Sequence, residues 1–289
     1  MSQIIDLIKV LRERTGAGMM DCKRALEATD LDVTKAIDWL REKGITKAAS
    51  KSLRIAAEGI THIVSEGSRS LVLEVNCETD FVARSDAFVA LVDTIAKSLL
   101  HGQADTLEAA KDLVAPLITE ATMKIGEKID LRRYETLKAE TGQVVGSYIH
   151  MNGKLSTIVL MTGSDQTFAD NLAMHITANN PRFIDSQSIP KEALEHEKKI
   201  QKEIVAQDEK LAGKPEAALA KIIEGKVSKA FRESTLTEQP YLMDEAGASV
   251  GTILAKMNLK VMKFVRYAVG EGIEKRVDNF AEEVMAQIK

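Results

Sequence analysis

The first part of the chain has apolar residues at helical spacing. In residues 3–14 they recur every three or four positions, at Ile4, Leu7, Ile8 and Leu11. Two glycines in TGAG at 15–18 interrupt this helix, a second short helix follows, and a third apolar stripe ends at Gly44. A three-helix unit of this size buries little core of its own. We therefore expect residues 1–54 to form a module that serves as a docking surface.

Two later stretches alternate apolar and polar residues, which is typical of strands joined by tight turns. GITHIVS and RSLVLEVNC lie on either side of EGS at 66–68. VVGSYIHM and KLSTIVLM flank Asn152-Gly153, a pair that favours the positive φ angles of a hairpin turn. The pattern predicts two β-hairpins.

The same order of elements follows each hairpin. After the first come a helix from Phe88, a helix over 106–124 and the strand KIDLRRYETL. After the second come a helix over 166–178, the helix SVGTILAKM and the strand KVMKFVRYAV. The shared order predicts an α+β protein with a duplicated ββααβ core, whose subdomains are residues 55–140 and 141–270.

Residues 190–234 interrupt the second subdomain with two helical arms. The first arm has a loose heptad with two polar seam positions: Ala193, Glu197, Ile200, Ile204, Gln207 and Leu211. We expect an antiparallel helical hairpin that either packs on the parent domain or serves as an oligomer arm. After GEG at 270–272, an amphipathic pattern predicts a C-terminal helical module over 271–289.

Composition narrows the class of protein. With 45% apolar and 28% charged residues the chain is an ordinary globular sequence, and its net charge of -4 argues against non-specific nucleic-acid binding. Two cysteines, Cys22 and Cys77, are too few for a disulfide framework and indicate a reducing compartment. The chain lacks a signal-peptide pattern and a membrane-spanning apolar run, so we expect a cytoplasmic protein with no membrane partner.

The usual signatures of enzyme chemistry are missing. The histidines and cysteines lack metal-ligand spacing, and the sequence contains no phosphate loop. GEG at 270–272 lacks the third glycine of a dinucleotide fingerprint, and VSEGSRS lacks the flanking glycines of a nucleophile elbow. Cys77 and Cys22 are expected to be small buried side chains. We predict no enzymatic activity, no cofactor and no metal site.

The segment NCETDFVARSD at 76–86 places an aromatic ring beside a carboxylate where an apolar strand ends. One interpretation has Phe81 packed in the core while Asp80 caps the next helix. The other has the turn present an apolar wedge next to a negative charge to a second protein. Similar alternatives stay open for Met19 and Met20, as core or contact patch, and for His150, as an ordinary strand residue or a contact.

Four motifs together closely resemble the bacterial elongation factor Ts family. They are LRERTGAGMMDCKRAL at 11–26, LEVNCETDFVAR at 73–84, AMHITANNPRFI at 173–184 and VGEGIEK at 269–275. The resemblance implies a translation elongation factor that promotes GDP release from the GTPase elongation factor Tu, without covalent chemistry. The alternatives from other classes are a chaperone-like or nucleic-acid-associated binding module without exchange activity, and a hydrolase or redox enzyme.

The resemblance also implies where the partner binds. The turn Thr79, Asp80, Phe81 and Val82 would enter near the magnesium and phosphate site of elongation factor Tu. The N-terminal module would resemble a ubiquitin-associated domain and dock through Arg12, Met19 and Met20, and His150 would contact a distal domain. The C-terminal module would touch the GTPase domain, and the 190–234 hairpin can mediate dimerisation in the family, which leaves a homodimer open.

Overall fold

The computed structural model describes residues 2–15, 17–51, 54–102, 104–208, 211 and 215–274, without the side chains of residues 2, 3 and 44–51. Its helices are α1 (Ser2–Thr15), α2 (Met19–Ala28), α3 (Val33–Lys51), α4 (Asp80–Ala83), α5 (Asp86–His101), α6 (Leu107–Ile125), α7 (Gln166–Asn179), α8 (Lys191–Gln207), α9 (Glu216–Arg232) and α10 (Val250–Met257). Its strands are β1 (Glu58–Glu66), β2 (Arg69–Cys77), β3 (Asp130–Lys138), β4 (Gln143–His150), β5 (Leu155–Thr162) and β6 (Val261–Ala268). Helices and antiparallel strands together confirm the α+β class.

The three N-terminal helices share a small apolar core. Its buried members are Ile8, Leu11, Ala17, Cys22, Ala25, Leu26, Ala36 and Leu40. Met123 of α6 packs against this cluster, so the N-terminal helices rest on the first core unit. Helix α3 does not end at Gly44 as expected but continues to Lys51. A glycine costs a helix only about 1 kcal/mol relative to alanine, a penalty that the helix-forming residues after it can offset.

The first sheet has the strand order β1-β2-β3, and all its pairs are antiparallel. Strands β1 and β2 are joined by the turn Gly67-Ser68, in agreement with the predicted hairpin. Alternate residues of β2, including Leu71, Leu73 and Val75, pack against helix α5, where Phe88 is fully buried. These residues belong to the largest apolar cluster of the described residues, which we call the first core.

The second sheet has the order β4-β5-β6, again antiparallel. His150 pairs with Leu155, so the hairpin loop contains four residues rather than the expected two. Asn152 and Gly153 do have positive φ angles of 53° and 85°. Helices α7 and α10 cover this sheet through a second apolar cluster.

The two sheets face each other, with the core helices on their outer sides. Val72, Leu137 and Ile158 form the buried centre of this layer. The Thr61 hydroxyl lies 2.8 Å from the Gly153 carbonyl oxygen and 2.8 Å from the Ser156 hydroxyl, which fixes β1 against the β4–β5 hairpin. Strand β2 is therefore buried on both faces, although its alternating pattern is typical of a half-exposed strand.

Helices α8 and α9 pack against each other as the expected helical hairpin, but the predicted seam is right only at Ala193 and Glu197 and wrong at Ile200, Ile204 and Gln207. Ile200 and Ile204 are 37% and 46% exposed, whereas Val205 is buried. Glu197 and Gln201 lie on the less exposed side of α8. They hydrogen-bond to each other at 2.8 Å, which satisfies this partly buried polar pair. The predicted C-terminal helix within 271–289 cannot be assessed, because residues 275–289 lie outside the described residues.

Candidate functional site

The segment between β2 and α5 folds into a single short helical turn. Helix α4 contains only four residues, and the Thr79 side chain caps it by accepting a hydrogen bond from the Val82 amide at 3.3 Å. The capping residue is thus Thr79 and not Asp80. Ser85 caps the next helix in the same way through the Phe88 amide. Two successive caps fix where each helix begins.

Phe81 is the most exposed large apolar side chain of the described residues, at 84%. The interpretation that placed it in the core is therefore wrong. Ala83 is buried and Val82 is partly buried against the first core, so the opposite side of the same turn anchors it. The phase of this short helix directs Phe81 outward.

Asp80 stands beside the exposed ring. Its carboxylate lies 3.1 Å from the Arg84 guanidinium one turn later, and both side chains are largely in solvent, at 43% and 76% exposure. An ion pair this exposed contributes about 0–1 kcal/mol. A partner can therefore separate Asp80 from Arg84 at little cost.

Backbone amides before the turn are held by a carboxylate from another element. Glu127, two residues after α6, accepts hydrogen bonds from the amides of Glu78 and Thr79 at 3.0 Å each and from the Thr79 hydroxyl at 2.6 Å. The Glu78 carboxylate in turn accepts from the Lys128 amide and lies 3.2 Å from the Arg54 guanidinium. Glu127 was not among the predicted site residues, because nothing in the local pattern shows that α6 ends beside residue 79.

The predicted docking residues of the N-terminal helices are all at the surface. Met19 and Met20 begin α2 with 58% and 61% of their surface exposed, so the core alternative for them is wrong. Arg12 on α1 is also exposed. Flexible methionine side chains on a surface are suited to contact with another protein.

His150 is the last residue of β4 and is exposed. Its Nδ1 lies 3.1 Å from the Tyr148 hydroxyl, and the two rings stack with 5.8 Å between centroids. Its neighbours Ile149 and Met151 are 41% and 66% exposed. This end of the β4–β5 hairpin therefore presents a mixed apolar and polar surface.

The predicted contact residues form three groups on different elements. Thr79, Asp80, Phe81 and Val82 are consecutive, the N-terminal group lies on α1 and α2, and His150 lies on the second sheet. Within the part of the chain that the structure describes, no hydrogen bond or shared apolar cluster joins one group to another.

Neither cysteine has the character of a nucleophile. Both are fully buried and free, and burial raises the pKa of the Cys77 thiol to about 12. Burial also raises the pKa of the Cys22 thiol. The expectation that they are small buried side chains is confirmed. Among the described residues, no group of three or more His, Cys, Asp or Glu could hold a metal ion.

His175 is a buried histidine with a defined tautomer. Its Nδ1 accepts from the Leu242 amide at 3.2 Å, so Nε2 carries the proton and donates to the Gln239 side-chain oxygen at 3.0 Å. Burial lowers the pKa of His175. Its hydrogen bonds join α7 to the segment before α10, which is a structural role.

No helix among the described residues is long and apolar enough to span a bilayer.

Comparison with protein families gives a match to the family model described as Elongation factor TS. It covers residues 78–271, more than half of the 289-residue chain. The matched region begins directly before the turn that contains Phe81 and includes both Glu127 and His150. The N-terminal helices lie outside it.

Proposed function

Because the chain belongs to the elongation factor Ts family, whose members promote nucleotide exchange on elongation factor Tu, we propose that it binds elongation factor Tu with GDP and accelerates GDP release through the turn at Thr79–Val82. The exposed ring of Phe81 would wedge between helices of the partner near the bound nucleotide. The neighbouring Asp80 would disturb coordination of the partner's magnesium ion. GTP would then rebind to the emptied site.

One observation carries this proposal. Phe81 is 84% exposed on a turn that is capped by Thr79 and anchored by Val82 and Ala83. An exposed phenylalanine in a defined orientation gives a partner a large apolar contact with few conformations to freeze. Because Asp80 precedes it directly, the same insertion brings a negative charge to the partner.

The other predicted contacts would hold the turn in place. Arg12, Met19 and Met20 would dock on the GTPase domain, and His150 would contact a more distant domain. Their exposure supports this role. Docking contacts that do not depend on Phe81 are useful, because an exchange factor must stay bound to its partner while it lowers the partner's affinity for the nucleotide.

Each predicted segment of the chain has its own proposed role. We propose that residues 1–54 form a module similar to a ubiquitin-associated domain, that 55–140 and 141–270 are duplicated core subdomains, and that 271–289 touch the GTPase domain. The matching strand orders of the two sheets support the duplication. The exposed Ile200 and Ile204 support the 190–234 hairpin as a contact between two copies of the chain. Translation takes place in the cytoplasm, where we expect this protein to act.

The physical requirement is a preference for the nucleotide-free partner. By thermodynamic linkage, the factor lowers the affinity for GDP by the same ratio as GDP lowers the affinity for the factor. An acceleration of about 10⁴-fold needs about 5.5 kcal/mol of differential stabilisation in the transition state for release. Burial of one phenylalanine contributes only about 1.5–3 kcal/mol. The remainder must come from lost magnesium coordination and from contacts that strengthen as GDP leaves, because docking contacts of constant strength raise affinity and not the maximal rate.

Release of a fluorescent GDP analogue from purified elongation factor Tu tests the proposal. In stopped-flow measurements, we expect the chain to increase the release rate in a concentration-dependent, saturable manner. The preformed complex with GDP provides the baseline without the chain.

Two other results would point to the alternative classes. Binding without faster release would indicate a chaperone-like or nucleic-acid-associated module. A chemically altered nucleotide would indicate an enzyme. Chromatography of the nucleotide after the reaction separates these outcomes from simple exchange.

A further inference from the structure

The orientation of the Phe81 turn depends on contacts from outside the turn itself. Helix α4 contains four residues, about one helical turn, and a helix of that length is unstable in isolation. Phe81 cannot contribute to its stability, because the ring is almost fully exposed. Something else in the molecule must therefore fix the direction in which the ring points.

Glu127 supplies the contacts that meet this need. One carboxylate oxygen, Oε2, lies 3.0 Å from the amide nitrogens of both Glu78 and Thr79, and the other, Oε1, accepts from the Thr79 hydroxyl at 2.6 Å. Hydrogen bonds to a charged carboxylate are about twice as strong as those between neutral groups. The same Thr79 hydroxyl oxygen accepts from the Val82 amide, so Glu127 also orients the cap of α4.

The position of Glu127 is set by the end of α6. Gly126 closes this helix in a left-handed conformation with φ of 86°, which a side chain would strain. The chain turns there, and the next residue meets the amides of Glu78 and Thr79. A second contact crosses in the opposite direction, from the Lys128 amide to the Glu78 carboxylate at 2.6 Å. The two segments thus hold each other through reciprocal amide-to-carboxylate bonds.

We propose that Glu127 is a positioning residue for nucleotide exchange: it acts through the backbone of Glu78 and Thr79 to keep Asp80 and Phe81 in one orientation. This inference rests on the proposed function of the turn. Glu127 itself does not have to touch the partner. Its loss would let the turn sample orientations in which the ring does not enter the nucleotide site.

Exchange kinetics of two substitutions test the proposal. For Glu127→Ala we expect the maximal rate of fluorescent GDP release, at saturating factor, to fall about tenfold, which is about 1.4 kcal/mol in the barrier. The concentration of factor at half-maximal rate should stay within about twofold, because the docking residues are unchanged. Glu127→Gln retains one acceptor oxygen for the two amides, so its maximal rate should fall only about threefold.

A control and a double variant separate positioning from other effects. Glu120→Ala removes another glutamate carboxylate, one on α6 that is exposed and pairs with Lys124. It should leave the maximal rate and the half-saturating concentration unchanged. Phe81→Ala combined with Glu127→Ala should lower the maximal rate by less than the product of the two single effects, because both changes act on one turn. Thermal unfolding of each variant gives its folded fraction.

Several outcomes would overturn the role of Glu127. If Glu127→Ala is partly unfolded, a normal maximal rate in folded Glu127→Gln refutes the proposal. So does a loss of rate in Glu127→Ala that disappears at higher factor concentration, since that indicates fewer folded molecules or weaker docking. If Phe81→Ala is slow but both Glu127 variants are normal, the wedge survives and the positioning role fails. If Phe81→Ala is itself normal, the proposed function fails first.

Discussion

Phe81 and Phe88 lie seven positions apart but have opposite environments, which shows how much the position of a helix cap matters for burial. Phe88 is fully buried in the first core, whereas Phe81 is 84% exposed. The sequence could not decide between burial and exposure for Phe81, because a cap at Asp80 and a cap at Thr79 give the short helix different phases. The structure places the cap at Thr79, whose hydroxyl also contacts Glu127, 48 residues later in the chain.

Phe81→Ala should slow catalysed GDP release by about tenfold to a hundredfold at saturating factor, because a buried phenylalanine contributes about 1.5–3 kcal/mol. The ring is exposed in the free protein, so the free energy of unfolding should change by less than about 0.5 kcal/mol. Stopped-flow release and urea unfolding measure the two quantities. Leu113→Ala, which removes an exposed apolar side chain from α6, serves as the control. Normal exchange by Phe81→Ala would refute the wedge.

His175 should make stability depend on pH. Because burial lowers its pKa in the folded state, the unfolded chain binds a proton first as the pH falls. The free energy of unfolding should be unaffected by this group above about pH 6.5 and decrease below it, by at most about 1.4 kcal/mol per pH unit, until the lowered pKa is reached. Urea unfolding of wild type and His175→Gln from pH 7.5 to 5 isolates this contribution. Parallel pH profiles for the two proteins would contradict it.

At the scale of elements, periodicity predicted the strands and most helices, and contacts between elements explain the exceptions. The two hairpins and the helices at Leu107–Ile125 and Gln166–Asn179 agree with the predictions. Helix α4 was not predicted, because four residues carry no periodicity and their helical state depends on caps. The predicted seam of the helical hairpin fails after Glu197, because the less exposed side of α8 continues through Gln201 and Val205 while Ile200 and Ile204 are exposed.

Deletion of residues 1–51 should weaken docking while the wedge keeps its position. This truncation retains Arg54, whose guanidinium contacts Glu78 beside the turn. We expect the half-saturating concentration of factor to rise about tenfold or more, and the maximal release rate to stay within about twofold. Among the residues whose side chains are described, the first core contains none from α1–α3, so the melting temperature should fall by about 4 °C or less.

Titration of factor against a fixed amount of elongation factor Tu, together with thermal unfolding, measures these quantities for the truncated protein. An unchanged half-saturating concentration would refute the docking role of the N-terminal helices.

At the scale of the whole molecule, the two sheets are joined partly by buried charge, which the sequence did not indicate. Glu74 lies on β2 with no exposed surface and contacts Arg132 at 3.0 Å and Arg133 at 2.7 Å. Its carboxylate also accepts from the Gly270 amide at 2.8 Å, two residues after β6 of the other sheet. The alternating pattern of RSLVLEVNC favours a water-exposed Glu74. Only the packing of a second sheet on that face explains its burial.

Glu74→Ala should destabilise the protein by about 3 kcal/mol, because it leaves two arginines and a backbone amide without their shared partner. The matched control is Glu135→Ala. Glu135 also links the two sheets, through Lys263, but in an exposed ion pair that contributes about 0–1 kcal/mol. Urea unfolding measures both. Equal effects of the two substitutions would show that the buried carboxylate has no special part in joining the sheets.

Helix α6 meets the N-terminal helices at Met123 and, through Glu127, the backbone that carries the exposed ring. The two residues are four positions apart, and α6 ends between them at Ile125. One residue inserted into the last turn of α6, after Met123, would rotate the residues that follow by about 100° around the helix axis and move the Glu127 carboxylate away from Thr79. The number of residues between Met123 and Glu127 therefore matters for the direction of the Phe81 ring.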